Sequence, residues 1–267
     1  MGTSEARARS GGARDLRTEA LLWSGLLAAF SPTLLDLGQH LLERPWLAYA
    51  LVFPLLFARC ARQESSPSAS GGLGWVAAGL ALELVVIFLG GVRWARPALA
   101  LAATGLCRHL GVGTWRSRLL LWLAVPLPSV LIKAVGRPLQ MFWSRSAAEL
   151  ASFFSDARVA IDGYDLVTPA GRLGLTVYDG PPLAVLLAGL AWYAGIRLHR
   201  PPLRAALLSA AAAALALPLQ LLATLAALGL TAAGGGPAAR LLLTHAPWLA
   251  VTGLALAVIE GRARRLA

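Results

Sequence analysis

The chain has 267 residues, 57% of them hydrophobic and only 14% charged, with a mean hydropathy of +0.66. A soluble domain carries roughly 25% charged residues, so lipid is the expected solvent for most of this chain. The net charge of +11 sits mainly in short loops beside apolar runs, which reads as membrane topology and excludes nucleic acid as the expected partner.

In chain order, the first 19 residues are polar and Arg-rich. No short apolar stretch with a small-residue cleavage site follows them, so they are expected to be a disordered cytoplasmic tail and not a cleaved signal. Eight apolar stretches follow, at about 20–37, 46–58, 73–90, 97–110, 119–135, 181–196, 205–230 and 241–259. The expected fold class is therefore an all-α polytopic membrane protein with about eight transmembrane helices, filling residues 20–260. A basic cytoplasmic tail, 261–267, closes the chain. Excess of Arg over Lys, with abundant Ala, Leu and Gly, fits a GC-rich bacterial genome. The expected location is thus the bacterial cytoplasmic membrane.

Basic residues orient the spans. With the N-terminus inside, 15 of the 24 Lys and Arg fall in cytoplasmic segments, among them Arg59, Arg62, Arg116, Arg197, Arg200 and Arg262. Lys133, Arg137, Arg145, Arg158 and Arg172 border or enter one long segment that carries five acids of its own, and the rule weakens in long loops. Both termini are expected in the cytoplasm. The two cysteines, Cys60 and Cys107, are expected as buried apolar residues. No Cys/His spacing suggests zinc, and no metal or cofactor is expected.

The long segment, 136–179, is expected outside. Its first half is amphipathic in a helical sense, with Phe142, Trp143, Leu150, Phe153 and Phe154 expected in the interface while Arg145 and Glu149 turn away. Asp162-Gly163 and Ala170-Gly171 punctuate short β-branched and aromatic stretches, which predicts a small β-hairpin. Ser65–Ser70 with Gly71-Gly72 reads as a flexible cytoplasmic loop, and Gly234-Gly235-Gly236-Pro237 as a tight outer turn.

This topology brings Tyr178 and Asp179 to the outer end of span six. It puts Thr224 and Ala227 near the outer end of span seven, and His245 near the outer end of span eight. Three successive helices thus offer side chains at one membrane level. Arg240 lies on the outer turn and would supply a cation, with Asp179 orienting His245. The plainer reading makes Asp179 the N-cap of span six, ahead of Pro181, and Arg240 an interface marker. Glu83 lies mid-span and is either a functional carboxylate or a protonated side chain bonded to a neighbouring helix. Asp36 and His40 are expected at the interface, and Gln220 in an interhelical hydrogen bond.

Several of these stretches resemble landmarks of the exosortase/archaeosortase family of multi-span membrane enzymes that process protein sorting tails. Pro126-Leu127-Pro128-Ser129 resembles the family's proline motif. Tyr49, in AYALVFP, stands where a His is common, and Tyr178-Asp179-Gly180 stands where the family carries Cys-Ser-Gly. The helix after Pro218 resembles the segment with Asn-x-x-Arg, with Thr224 and Ala227 at those two positions. His245, before Pro247-Trp248, resembles the late His.

The resemblance implies a presumed nucleophilic Cys, a charge-stabilising Arg and a proton-transferring His, of which only His245 stands here. A tyrosine of pKa about 10 is a far poorer nucleophile than a thiol, and an alanine side chain cannot hold an oxyanion. The resemblance therefore implies a pseudoenzyme beside an exopolysaccharide system. It would bind hydrophobic, basic-ended sorting tails of membrane-anchored proteins through Pro126, Pro128, Ser129, Gly180 and Thr224. Two other readings stand beside it: an enzyme of altered chemistry built on Asp179, His245, Tyr178 and Arg240, and a small transporter with Glu83 as its proton site.

Overall fold

A computed structural model describes residues 16–43, 47, 49–64, 71–91, 95–126, 129–154 and 159–266, apart from the side chains of 16, 129, 154, 244–248, 264 and 266. The described residues are mostly helical, with one small sheet. The chain divides into two compact units, Met1–His40 with Glu64–Thr114, and Leu41–Gln63 with Trp115–Ala267.

The first unit contains α1 (Leu16–Ala29), most of α2 (Ser31–Glu43), α4 (Gly72–Phe88) and α5 (Arg96–His109). The apolar stretch expected as span one is two helices bent by 68°, because Ser31-Pro32 opens a new helix after Phe30. Leu26 and Phe30 pack on Ala98, Ala102 and Leu106 of α5. α4 and α5 approach through small residues. A Cβ at Gly79 would lie 2.7 Å from the Ala102 Cβ and 2.8 Å from the Ala98 carbonyl oxygen. A Cβ at Gly105 would lie 2.7 Å from the Gly72 carbonyl oxygen. Small-residue seams of this kind let helix backbones pack closely.

The second unit contains α3 (Tyr49–Ala61), α6 (Trp115–Leu123), α7 (Ser129–Phe154), α8 (Pro181–Arg197), α9 (Pro202–Ala214), α10 (Ala216–Ala232) and α11 (Gly236–Leu266). It also holds β1 (Ala160–Asp162), β2 (Asp165–Thr168) and β3 (Gly171–Gly174), an antiparallel meander in the order β1-β2-β3. The expected hairpin is therefore three strands. Asp162 pairs with Asp165 across a two-residue turn whose first residue, Gly163, has φ +64. A glycine with positive φ at that position is what a type II′ turn needs. Leu166 and Leu173 face each other in register and carry the sheet onto α10 and α11.

α10 ends in a Schellman turn. Gly234, at φ +83, donates its N–H to the Thr231 carbonyl oxygen, and Gly235 donates to that of Leu230. α11 then starts at Gly236, with Pro237 in its first turn, so the expected outer turn is present. α8 ends the same way with His199 at φ +50, a left-handed residue without glycine's freedom.

The expected span 119–135 is not one helix. α6 stops at Leu123, and α7 starts at Ser129 and runs on to Phe154, through the region expected to leave the membrane. Pro126 and Pro128 account for the break, since each removes a helical N–H and disfavours helix at the residue before it. The stretch 205–230 is interrupted at Leu215 but stays one run, Pro202–Ala232, with mean hydropathy 2.0 and only a third of its apolar window buried. Among the described residues this run alone is long and apolar enough to cross a membrane, or two are if the bent α1–α2 pair counts as one. α3, α4 and α8 are apolar but shorter. Helix also occupies residues 16–19 and 261–266, where tails were expected, while residues 1–15 and 65–70 lie outside the described residues.

Candidate functional site

The turn Thr176–Gly180 joins the sheet to α8, and α7 is what holds it. Gly136, Gln140, Trp143 and Ala147 recur at helical spacing along one face of α7. Gly136 packs against the Val177 carbonyl. The Gln140 Nε2 amide donates to the Leu175 carbonyl, and the Trp143 ring fills the space a Cβ at Gly180 would take. The Trp143 indole N–H donates to the Leu217 carbonyl oxygen at 3.2 Å. Ser144 Oγ donates to the carbonyls of Gln140 and Tyr164.

Trp143 was expected in the interface beside Phe142 and is instead 2% exposed. Phe142 lies with Pro138, Met141, Arg145, Ser146 and Glu149 along an open groove of about 420 Å³. The aromatic residues of α7 thus occupy two faces, and Phe142 shares its face with the charges expected opposite it. Gln140 and Ser144 were not singled out from the sequence; their spacing from Trp143 was the available signal.

Within the turn, the Tyr178 N–H contacts Thr176 Oγ1 at 3.3 Å. Asp179 Oδ2 accepts the Thr176 N–H at 2.6 Å, and the Asp179 N–H donates to the Thr176 carbonyl at 3.1 Å. Asp179 therefore does not cap α8. The N-cap is Gly180, which makes no side-chain cap bond, and Pro181 and Pro182 follow it. Two prolines remove two of the N–H groups a cap would satisfy, leaving the carboxylate free to brace its own turn. Burial pushes the Asp179 carboxyl up to about 6, against the opposing pull of the Thr176 hydrogen bonds.

The other expected residues divide. Ala227 is fully buried, in one apolar cluster with Trp143, Leu166, Leu173 and Leu243. Thr224 is also fully buried, and its hydroxyl donates to the Gln220 carbonyl at 2.8 Å within α10. That bond spends the hydroxyl on its own helix. Gln220 is buried with no hydrogen-bond partner for Nε2 among the described residues, in place of the expected interhelical bond. Arg240 is exposed in the first turn of α11, and among the described residues no ion pair joins it to Asp179. His245 lies on α11, but its side chain, like that of Ser129 and the whole of Pro128, is outside the described residues. Pro126 is buried at the α6–α7 break. Tyr49, also buried, packs edge-on against Phe53.

In the first unit, Glu83 is 2% exposed, and its Oε1 accepts the Thr33 hydroxyl at 2.5 Å. Its Oε2 has no hydrogen-bond partner among the described residues. Thr33, Asp36 and His40 share one face of α2 by spacing. Asp36 accepts from Arg96 at 2.7 Å, and His40 Nδ1 stands 3.8 Å from the other Asp36 oxygen. Asp36 and His40, expected at an interface, are part of this buried polar face, with His40 5% exposed.

A second charged cluster was not foreseen from the sequence. The Glu260 carboxylate, on α11, accepts Arg59 Nε at 2.9 Å and Arg59 Nη2 at 2.6 Å. The Tyr193 hydroxyl donates to the same carboxylate, and Arg197 Nη2 approaches it at 3.4 Å. The Arg59 bonds hold the Glu260 carboxyl down to about 2, aided by Tyr193 and Arg197 and opposed by partial burial. Cys60, next to Arg59, and Cys107 are both buried, as expected from the sequence. Among the described residues no three His, Cys, Asp or Glu side chains gather in a metal-ligating group. No protein-family model, curated protein or solved structure matches this chain.

Proposed function

We propose that this chain is a polytopic membrane protein of exosortase-like organisation that binds hydrophobic sorting tails without cutting them. The observation that carries the non-catalytic part is the burial of Ala227. At the position where the resemblance expects a charge-stabilising Arg, the chain has a fully buried methyl group packed among Trp143, Leu166 and Leu173. A guanidinium or an oxyanion there would lose its hydration with nothing to replace it. Tyr178 adds no thiol, and Thr224 spends its hydroxyl on its own helix.

The membrane part is supported by the Pro202–Ala232 run, which leaves two thirds of an apolar window uncovered where the core helix of a soluble protein would be mostly buried. Leu207, Leu208, Leu215 and Leu222 of this run are all exposed. The α7 groove supports a tail as ligand. Pro138, Met141 and Phe142 offer apolar contact, and Glu149 offers a carboxylate to a basic end. The eight-span arrangement, with both termini inside the bacterial cytoplasmic membrane, belongs to this proposal. So does placing Arg59, Arg197 and Glu260 together on the cytoplasmic side, where charge bias puts both arginines.

Asp179 favours a second reading, an enzyme of altered chemistry, because a carboxyl near 6 is suited to proton transfer at neutral pH. Co-expression with tail-bearing proteins, followed by mass measurement of the tails, separates the two. The binding reading expects full-length tail recovered with the protein, and little change in His245→Ala. Cleaved tail, with a rate loss of roughly 10²-fold or more in His245→Ala, would overturn it.

A further inference from the structure

The two sides of α7 have different partners. Gly136, Gln140, Trp143 and Ala147 pack one side onto the Thr176–Gly180 turn and the sheet, which turns the opposite side outward. Leu131, Val135 and Phe142 lie along that outward stripe by spacing, and all three are exposed. Arg145 and Glu149 continue the same stripe and are exposed too. Lys133 and Arg137 fall off it by the same spacing. Between Pro138 and Glu149 the stripe is hollowed into the open groove of about 420 Å³. At the helical rise this is a length of about 16 Å.

Arg145 and Glu149 stand at the polar end of the groove. Neither side chain makes a hydrogen bond or an ion pair among the described residues. Base before acid is the weaker order for an i, i+4 pair, so the helix itself satisfies neither charge. The two positions are about 6 Å apart along the helix axis. A ligand lying in the groove therefore meets, in order, apolar side chains, a planar cation and a carboxylate.

We infer that the groove seats a zwitterionic phospholipid, phosphatidylethanolamine. The Arg145 guanidinium takes two phosphate oxygens. The Glu149 carboxylate accepts the ammonium N–H groups, and acyl chains run over Phe142, Val135 and Leu131. A headgroup with a phosphate and no ammonium would set a second anion beside Glu149. A choline headgroup keeps the positive charge but has no N–H to donate. A basic-ended tail answers Glu149 but sets a second cation beside Arg145, so the groove holds lipid until a tail displaces it. The inference rests on the membrane part of the reading above and not on the tail.

The test is native mass spectrometry of the purified full chain in maltoside detergent. The chain is given equal amounts of phosphatidylethanolamine, phosphatidylcholine and phosphatidylglycerol with identical acyl chains. The wild type should carry phosphatidylethanolamine over either rival by about threefold. Glu149→Gln removes the acceptor charge. It should bring the ethanolamine-to-choline ratio to about one and raise the share of phosphatidylglycerol. Arg145→Gln should lower bound phosphatidylethanolamine by about threefold. Both positions are exposed, so both variants should fold. A wild-type ratio near one, a preference for phosphatidylglycerol, or a preference that survives Glu149→Gln overturns the inference. A Leu-rich peptide ending in arginines supplies the last arm. If it binds in a Glu149-dependent way while lipids bind wild type and variants alike, the groove is a tail site alone and the inference fails. A chain recovered from cells without detergent overturns the membrane reading and the lipid site with it. A chain that needs detergent but shows no lipid preference overturns the lipid site alone.

Discussion

One acid from each unit shows two opposite ways of holding a carboxylate. In the first, Glu83 sits in the middle of α4 and is met by a hydroxyl, Thr33. In the second, Glu260 sits near the end of α11 and is met by two guanidiniums and a phenol. The backbones differ too. α4 and α5 touch through glycines and alanines, whereas Gly180 at the N-cap of α8 and Gly189 within it are covered by the rings of Trp143 and Phe53. The first unit is thus set by backbone approach, and the second by large side chains and a charged clasp. For these two acids the position along the helix accounts for the partners: long basic side chains reach Glu260 near a helix end, while Glu83 in mid-helix is answered by the short hydroxyl that faces it, although a guanidinium, Arg96, does reach Asp36 in α2.

The widest break in this comparison should come from Gly79→Ala. The new Cβ meets Ala98 and Ala102 at 2.7–2.9 Å, and two of the three atoms it meets are backbone, which cannot rotate away. We expect a loss of about 3 kcal/mol, read as a fall in Tm or as failure of the chain to accumulate. Gly189→Ala meets the Phe53 ring, which can move, and should be milder. Equal losses would mean that the second unit is also set by its backbone.

The clasp should come next. Glu260→Ala strands Arg59 and Arg197 and should cost about 2 kcal/mol, discounted because Arg59 is half exposed. The wild type carries a matching pH signature. The folded Glu260 carboxyl, at about 2, lies below its ordinary value of 4.5. Its contribution is therefore complete above pH 4.5 and is lost as pH falls through 2. Acid unfolding of wild type and Glu260→Ala should converge in that window.

Asp179 has the reverse sign and a smaller effect. Its folded carboxyl, at about 6, lies above the ordinary 3.8, so its burial disfavours the fold increasingly as pH rises between those values. Asp179→Asn keeps an oxygen for the Thr176 N–H. It should raise stability above pH 6 by at most about 1 kcal/mol and leave it unchanged below pH 3.8. A variant that is weaker above pH 6 and unchanged below pH 3.8 would show that the charge itself braces the turn.

The sequence foretold the first unit and the second unequally. The ends of α4, α5 and α8 were readable because an apolar run bounded by Gly, Arg or Pro leaves few alternatives. The bend at Ser31-Pro32 and the break at Pro126 were not read, although both prolines were visible. In a long apolar stretch proline is tolerated as often as it terminates, and composition does not say which. Ala147 and Trp143 share a cluster with Ala227 across about 80 residues of sequence. The four-way meeting at Glu260 likewise joins residues up to 201 apart, a distance no local pattern carries. Asp179 was misassigned because a cap needs N–H groups to bind, and the prolines that mark the helix start also remove them.

The smallest expected effect is the most telling for Glu83. Glu83→Gln keeps Oε1, so the Thr33 hydroxyl retains its acceptor. The substitution replaces Oε2, which has no hydrogen-bond partner among the described residues, with an amide NH2 of similar size. Shape is conserved in a site that is 2% exposed, so the fold should lose less than about 1 kcal/mol. Thr33→Val removes the donor and leaves Oε1 without it, so it should cost more, about 1–3 kcal/mol. If Glu83 only ties α4 to α2, both variants should fold and both should bind sorting tails as the wild type does. If Glu83 exchanges a proton, Glu83→Gln must abolish activity while Thr33→Val only shifts its pH dependence, because only the first removes the titrating group. Proton flux into vesicles containing each variant distinguishes the two cases. Flux in wild type and Thr33→Val that vanishes in a well-folded Glu83→Gln would make the first unit a conduction element, and the binding reading would then fail to account for it.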